Sequence, residues 1–136
     1  MVFYLQLSDN TEIMAMVLRN RKGGIGSASN VTIIETEGRN RQMGNSQFMV
    51  TVLDSWKSPD SKAVYPTGWR FQIPSDSIDL SIKARLENQE MITLKSTGTI
   101  YWEGSVSITG SKAGKPVTGL GYVELTGYAR PFDAPM

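Results

Sequence analysis

The sequence predicts an all-β domain built as one antiparallel sheet closed on itself, and three observations predict it. Short runs of alternating apolar and polar residues recur along the chain. No convincing long helical pattern interrupts them. The last two runs, around 99–108 and 121–128, keep matched parity across a tight turn. Strands put alternate side chains on opposite faces, so such runs carry one buried and one solvated face. About eight short strands in meander order close most economically into an up-and-down barrel, which removes exposed edges and leaves an interior that side chains fill or that holds one small ligand.

The elements follow in order. Val2 to Leu7 alternates, with Phe3, Leu5 and Leu7 on one face. Glu12 to Arg19 is mostly apolar and reads as a short helix or a strand. Its place after the Asp9-Asn10 turn signal favours the strand of a hairpin. Asn20 to Gly24 is a loop. Ile25 to Glu35 holds the β-branched run Val31-Thr32-Ile33-Ile34. Glu37 to Gly44 reads as a polar loop and Gln47 to Asp54 as a strand. Lys57 to Gly68 reads as a long irregular connection, because it holds Pro59, Pro66 and Gly68. Trp69, Phe71 and Ile73 share a face in the next strand. Ile78 to Leu86 sets Leu80, Ile82, Ala84 and Leu86 against Asp79, Ser81, Lys83 and Arg85. The final hairpin turns at Lys112 to Lys115 and pairs Ser111 with Pro116. Its glycines, Gly104, Gly119, Gly121 and Gly127, let the strands coil sharply.

Composition bounds the function. The 136 residues suit one domain spanning 1–136. A net charge of +1 is too small for the concentrated basic surface that nucleic acid requires. The chain has no cysteine and no histidine, which excludes disulfides, thiolate metal sites, Ser-His-Asp triads and nearly all zinc sites. No metal or other cofactor is expected. No run is long enough to span a membrane, and Met1-Val2-Phe3-Tyr4 enters a strand pattern without a signal peptide, so a cytoplasmic location is expected. Gly23-Gly24-Ile25-Gly26-Ser27 lacks the ending and the following helix of a phosphate loop. Arg19, Arg21, Lys22, Arg39 and Arg41 lie in polar loops and read as solvated.

The hairpin register carries the sharpest site candidate. It places Trp102 opposite Leu125, Gly104 opposite Val123, and Glu103 directly opposite Glu124. Two carboxylates at cross-strand distance repel. If their face lines a confined cavity, one holds a proton near neutral pH and acts as a general acid. Tyr101 and Tyr122 flank them as hydrogen-bond donors. If the face is the exterior, both are solvated or paired with Arg70, Arg85 or Lys95. A second set comprises Trp56, Tyr65, Trp69, Phe71 and Trp102, aromatics that either orient a hydrophobic ligand or pack the core. Trp56, Tyr65 and Trp69 flank the 57–68 connection, which reads as a barrel mouth. Met14, Met16, Met43, Met49 and Met91 either line a pliable pocket or fill gaps.

The run Tyr101 to Tyr128, YWEGSVSITGSKAGKPVTGLGYVELTGY, resembles the C-terminal signature of the carotenoid 1,2-hydratase-like, lipocalin-like family, which also includes fungal decalin-forming Diels–Alderases. Tyr4 to Leu18 is similar to its opening strands. Trp56-Lys57-Ser58-Pro59, Tyr65-Pro66 and Trp69-Arg70 are similar to its middle motif, and Asp79-Leu80 and Gln89-Glu90 also fit. Members usually carry two lipocalin-like barrels, and this chain resembles the second alone. The resemblance implies a lipocalin-like barrel. It further implies a cofactor-free enzyme that hydrates, isomerises or cyclises a hydrophobic polyene, isoprenoid or polyketide. Glu103 or Glu124 would then serve as acid, with the aromatics as the substrate site. The alternative is a non-catalytic carrier of a hydrophobic small molecule. A barrel of this kind also implies an apolar outer patch that meets a partner barrel or a second copy in a homodimer.

Overall fold

The structure is a computed structural model and describes residues 1–20, 24–93 and 98–129. Arg21, Lys22, Gly23 and Lys95 lie outside the described residues. The chain forms ten strands: β1 (Val2–Leu7), β2 (Glu12–Met16), β3 (Asn30–Ile34), β4 (Asn40–Gly44), β5 (Met49–Lys57), β6 (Val64–Ile73), β7 (Ile78–Ala84), β8 (Glu90–Thr93), β9 (Thr99–Lys112) and β10 (Lys115–Leu125). A single 3₁₀ turn at Pro74–Asp76 is the one helical element described. All pairings are antiparallel, in the order β4-β3-β2-β1-β10-β9-β7-β6-β5. β9 is long enough to serve two neighbours on one edge: its 106–112 half pairs with β7 and its 99–102 end pairs with β8.

This is a lipocalin-like, curled antiparallel sheet. Its path ends at β4 and β5, which are consecutive in the chain, as an up-and-down barrel requires. No ladder joins those two strands among the described residues. Side chains bridge that side instead. Phe48, in the β4–β5 connection, is buried and stacks on Phe71 at 5.8 Å. Arg41 of β4 pairs with Asp76 beyond the end of β6.

The final hairpin adopts the expected register: Ser111 pairs with Pro116, Trp102 with Leu125, and Glu103 with Glu124. Its turn is tighter than expected, since Lys112 and Lys115 also pair. Ala113 (φ 52°) and Gly114 (φ 77°) turn the chain with the two positive φ values that suit a two-residue hairpin. Three elements differ from the sequence reading. Residues 40–44 form a strand, not a loop, and only Met43 of it is buried, so its pattern looks polar. β6 starts at Val64 despite Pro66. β7 pairs with β6 only from Gly68 onward, so Pro66 sits where that flank has no ladder to lose. β8 is too short and too exposed for its alternation to be visible.

The inward face packs one continuous core. Phe3 meets Trp69 edge-on at 5.5 Å and Phe71 at 5.7 Å, and Trp69 meets Trp102 at 6.5 Å. All four rings are fully buried. Side chains therefore fill the middle of the sheet, and any ligand space lies toward an end.

Candidate functional site

The open end is built by the β5–β6 connection, the start of β8, the segment after β2, and Tyr128. Ser58, immediately after β5, is fully buried because its hydroxyl works in two directions. It accepts the backbone N–H groups of Asp60 (3.2 Å) and Ser61 (3.1 Å), folding the turn, and donates to Glu90 Oε1 at 2.5 Å. Ser61 and Tyr65 donate to Glu90 Oε2 at 2.5 and 2.6 Å. One carboxylate thus ties the turn to β8. Burial alone would push Glu90 upward; the three hydroxyl donors outweigh it and hold the carboxyl below its ordinary value. Burial, reinforced by that neighbouring negative charge, raises the Tyr65 phenol, which stays neutral and donating.

A chain of rings leads from this anchor to a pocket. Trp56 stacks on Tyr65 at 6.3 Å, and Tyr65 meets Tyr128 at 5.8 Å. The Arg19 guanidinium carbon lies 3.8 Å from the Tyr128 ring centroid. Burial raises the Tyr128 phenol, against the opposing pull of Arg19. Beside Tyr128 opens a pocket of about 250 Å³. Val17, Ile25, Val50, Val52, Val64 and Pro66 supply apolar wall, and Arg19 is the one charged side chain lining it among the described residues. It occupies the side of the sheet where β5 has no outer neighbour.

The residues expected to carry chemistry separate accordingly. Trp56 and Tyr65 lie beside the β5–β6 connection, Trp56 half-buried and Tyr65 fully buried under it. Trp69, Phe71 and Trp102 are buried core. Trp102 donates its indole N–H to the Glu87 carbonyl at 2.8 Å. Trp69 Nε1 is buried and has no hydrogen-bond partner among the described residues. Glu103 and Glu124 are in direct register but exposed on the outer face, with exposed Tyr122 and half-buried Tyr101. The pair therefore lies on the exterior of the hairpin, where solvent reaches both carboxylates. Of the methionines, Met43 is core, whereas Met14, Met16, Met49 and Met91 are exposed. Ser58, Ser61, Arg19 and Tyr128 drew no attention as site residues in the sequence, since nothing in their spacing foretold that they would meet.

The fold and this end site define the class: a lipocalin-like barrel whose central space is packed and whose pocket opens at one end beside a hydroxyl-bound carboxylate. The chain matches the AttH-like family over residues 2–128, and it belongs to that family. Among solved structures it is similar to an AttH from Nitrosomonas europaea, at 29% identity and TM-score 0.80, covering 95% of this chain and 38% of that one. It also shares its fold with kievitone hydratase from Nectria haematococca, at 21% identity and TM-score 0.73, covering 95% of this chain and 39% of that one. The chain therefore spans well under half the length of either structure. No curated protein sequence matches it. No helix among the described residues is long and apolar enough to cross a membrane.

Proposed function

We propose that this chain is the small-molecule-binding barrel of a cofactor-free, hydratase-like protein. Its ligand is a hydrophobic polyene, isoprenoid or polyketide bearing one hydrogen-bond acceptor. The observation that carries this reading is the end pocket, whose mostly apolar wall contains, among the described residues, one charged side chain, Arg19, lying over Tyr128. The valines and Pro66 suit a carbon skeleton, the Tyr128 ring offers a π-face, and Arg19 suits a carbonyl or phenolate oxygen. At about 250 Å³ the pocket is slightly below the usual range of ~300–1,000 Å³ for ligand sites, so it suits one ring or one branched chain end. Family membership and the hydratase neighbour favour addition of water to a double bond as the reaction, with cyclisation or isomerisation as kindred outcomes of the same binding mode. Holding the substrate in one reactive conformer is the contribution this geometry suits best.

A second reading, a non-catalytic carrier, is favoured by one observation: no carboxyl group lines the pocket among the described residues. Glu90, the nearby candidate, is held ionised and accepts hydrogen bonds instead of donating a proton. Titration of the chain with kievitone, followed by tryptophan fluorescence, tests binding through Trp56. Mass analysis of the incubated mixture tests for gain of one water. Saturable quenching that Arg19→Ala weakens about tenfold is expected, on the scale of one charge-assisted hydrogen bond. Binding with a hydrated product supports the enzyme, and binding without product supports the carrier. Unaltered fluorescence and unaltered kievitone count against both.

A further inference from the structure

We infer that Tyr65 is the positioning residue of the end pocket, and that Glu90, which is not among the residues lining that pocket, sets its width by holding Tyr65 in place. The role rests on the reading of this pocket as the ligand site. The pocket has two walls, and Tyr65 reaches both. Its chain neighbours Val64 and Pro66 line one wall, together with Val52 of β5. The facing wall holds Val17, Arg19 and Tyr128. No ladder joins the two walls among the described residues, because β5 pairs with β6 alone. Side-chain packing has to keep them at their distance instead. The Tyr65 ring does so, meeting Trp56 of β5 at 6.3 Å and Tyr128 at 5.8 Å. Tyr128 in turn carries the Arg19 guanidinium, 3.8 Å from its ring centroid. A shift of the Tyr65 ring therefore moves the aromatic face and the cation together, relative to the valines opposite.

Ring packing alone leaves a phenol free to slide between its neighbours. The hydroxyl removes that freedom. Tyr65 donates to Glu90 Oε2 at 2.6 Å, and Ser61 donates to the same oxygen at 2.5 Å. Ser58 donates to Glu90 Oε1 at 2.5 Å, so the carboxylate is held at both oxygens and cannot swing away from the phenol. Burial pushes the Glu90 carboxyl up, but the three hydroxyls outweigh it and hold the group in its charged form, the stronger acceptor. The backbone fixes the same residue from behind: Glu90 pairs with Trp102 of β9, whose ring is fully buried. A side chain at a binding site keeps its geometry when neighbours that never touch the ligand lock it in this way. A cage that served stability alone would leave Tyr128 and Arg19 where they are when the hydroxyl is lost. A cage that positions Tyr65 would not.

Two variants and a control separate these outcomes. Tyr65→Phe keeps the ring and removes the tie. Glu90→Gln keeps the shape and removes the charge. Gly121→Ala, which does not line the pocket, lowers stability from the β1–β10 side without touching the chain of contacts. Circular dichroism checks that all three are folded. NMR then follows the Arg19 side-chain protons, which the Tyr128 ring current moves upfield in the unaltered chain. Tyr65→Phe and Glu90→Gln should each return those protons toward their ordinary positions, and Gly121→Ala should leave them in place. Calorimetry with kievitone should show affinity about tenfold weaker in each of the two cage variants, the scale of one lost hydrogen bond to a charged group. The double variant should lose no more than either single one, because both break the same contact. Three results overturn the inference: Arg19 protons unmoved in both cage variants, equal movement in Gly121→Ala, or a double variant whose loss is the product of the two single losses. If the unaltered chain does not bind kievitone, the ligand reading fails by itself, and the Arg19 protons still decide the role of Tyr65.

Discussion

Glu90 organises more of the open end than any other single residue, and three hydroxyls carry its effect. Replacing Tyr65 by Phe keeps the ring stack but removes one donor to a carboxylate. The expected loss is about 1–3 kcal/mol in urea denaturation, the usual cost of leaving a partly buried acceptor short of a partner. The pH dependence follows from the direction of the shift. A carboxyl whose folded pKa lies below its unfolded value contributes stability above that unfolded value, about 4.3, and loses it as pH falls through the folded pKa. Two other acids share that sign. Asp79 is lowered by Arg70. Asp9 is raised by burial but lowered more by Lys112 and Thr11. Glu90→Gln should therefore lose less stability between pH 6 and pH 3 than the unaltered chain, read as urea midpoints. An equal loss in both would show that the hydroxyl cage does not discriminate the charged form. Residue identity alone could not reveal this cage, because Ser58, Ser61, Tyr65 and Glu90 meet only through tertiary packing. The opposite holds for Glu103 and Glu124. Their register was legible from parity and turn length, whereas parity does not say which face of a hairpin is inside. The buried Trp102 and Val123 decide that, and they put both glutamates in water.

At the level of the strand, alternation was visible wherever one face is buried and the other wet. β1, β7, β9 and β10 have that property and were legible in the sequence. β5 does not. Seven of its nine residues are exposed, Val52 and Leu53 among them, since it has a neighbour on one edge only. β4 has the same edge position and reads as a loop for the same reason. The glycines of β10 have a specific cause. A Cβ on Gly121 would run into the Tyr4 carbonyl oxygen and meet Leu5 Cδ2 at 3.0 Å, and one on Gly119 would strike the Gln6 carbonyl oxygen. The two carbonyl contacts are with β1 backbone, which cannot rotate away. Gly121→Ala should cost about 1–3 kcal/mol, the scale of overpacking. Gly44→Ala, which would meet nothing within 4 Å, should cost almost none. Similar losses for the two would mean that β1 and β10 separate easily, contrary to their six paired residues.

For the molecule as a whole, one asymmetry governs behaviour: the sheet path is continuous through β1, β10 and β9, and ends at β4 and β5. Backbone amides in the interior strands are bonded on both flanks, so exposing them requires parting two ladders and opening the aromatic core of Phe3, Trp69 and Trp102. Amides on the end strands alternate between one ladder and no ladder, and only side chains such as Phe48, Met43 and Arg41 hold that side together. Local opening energies in a protein range from near zero at such edges to the global stability in its core. Hydrogen exchange should therefore be slowest for 102–111 and 117–124. It should be fast at every other amide of 40–44 and 49–57. The end pocket borders the fast side, with Val50 and Val52 of β5 in its wall, so a ligand bound there should slow exchange in β5 and leave β10 nearly unchanged. Exchange measured as a function of kievitone concentration checks this. Uniform protection across all ten strands would show that β4 and β5 are joined as firmly as the rest, and would place the molecule's weak side elsewhere.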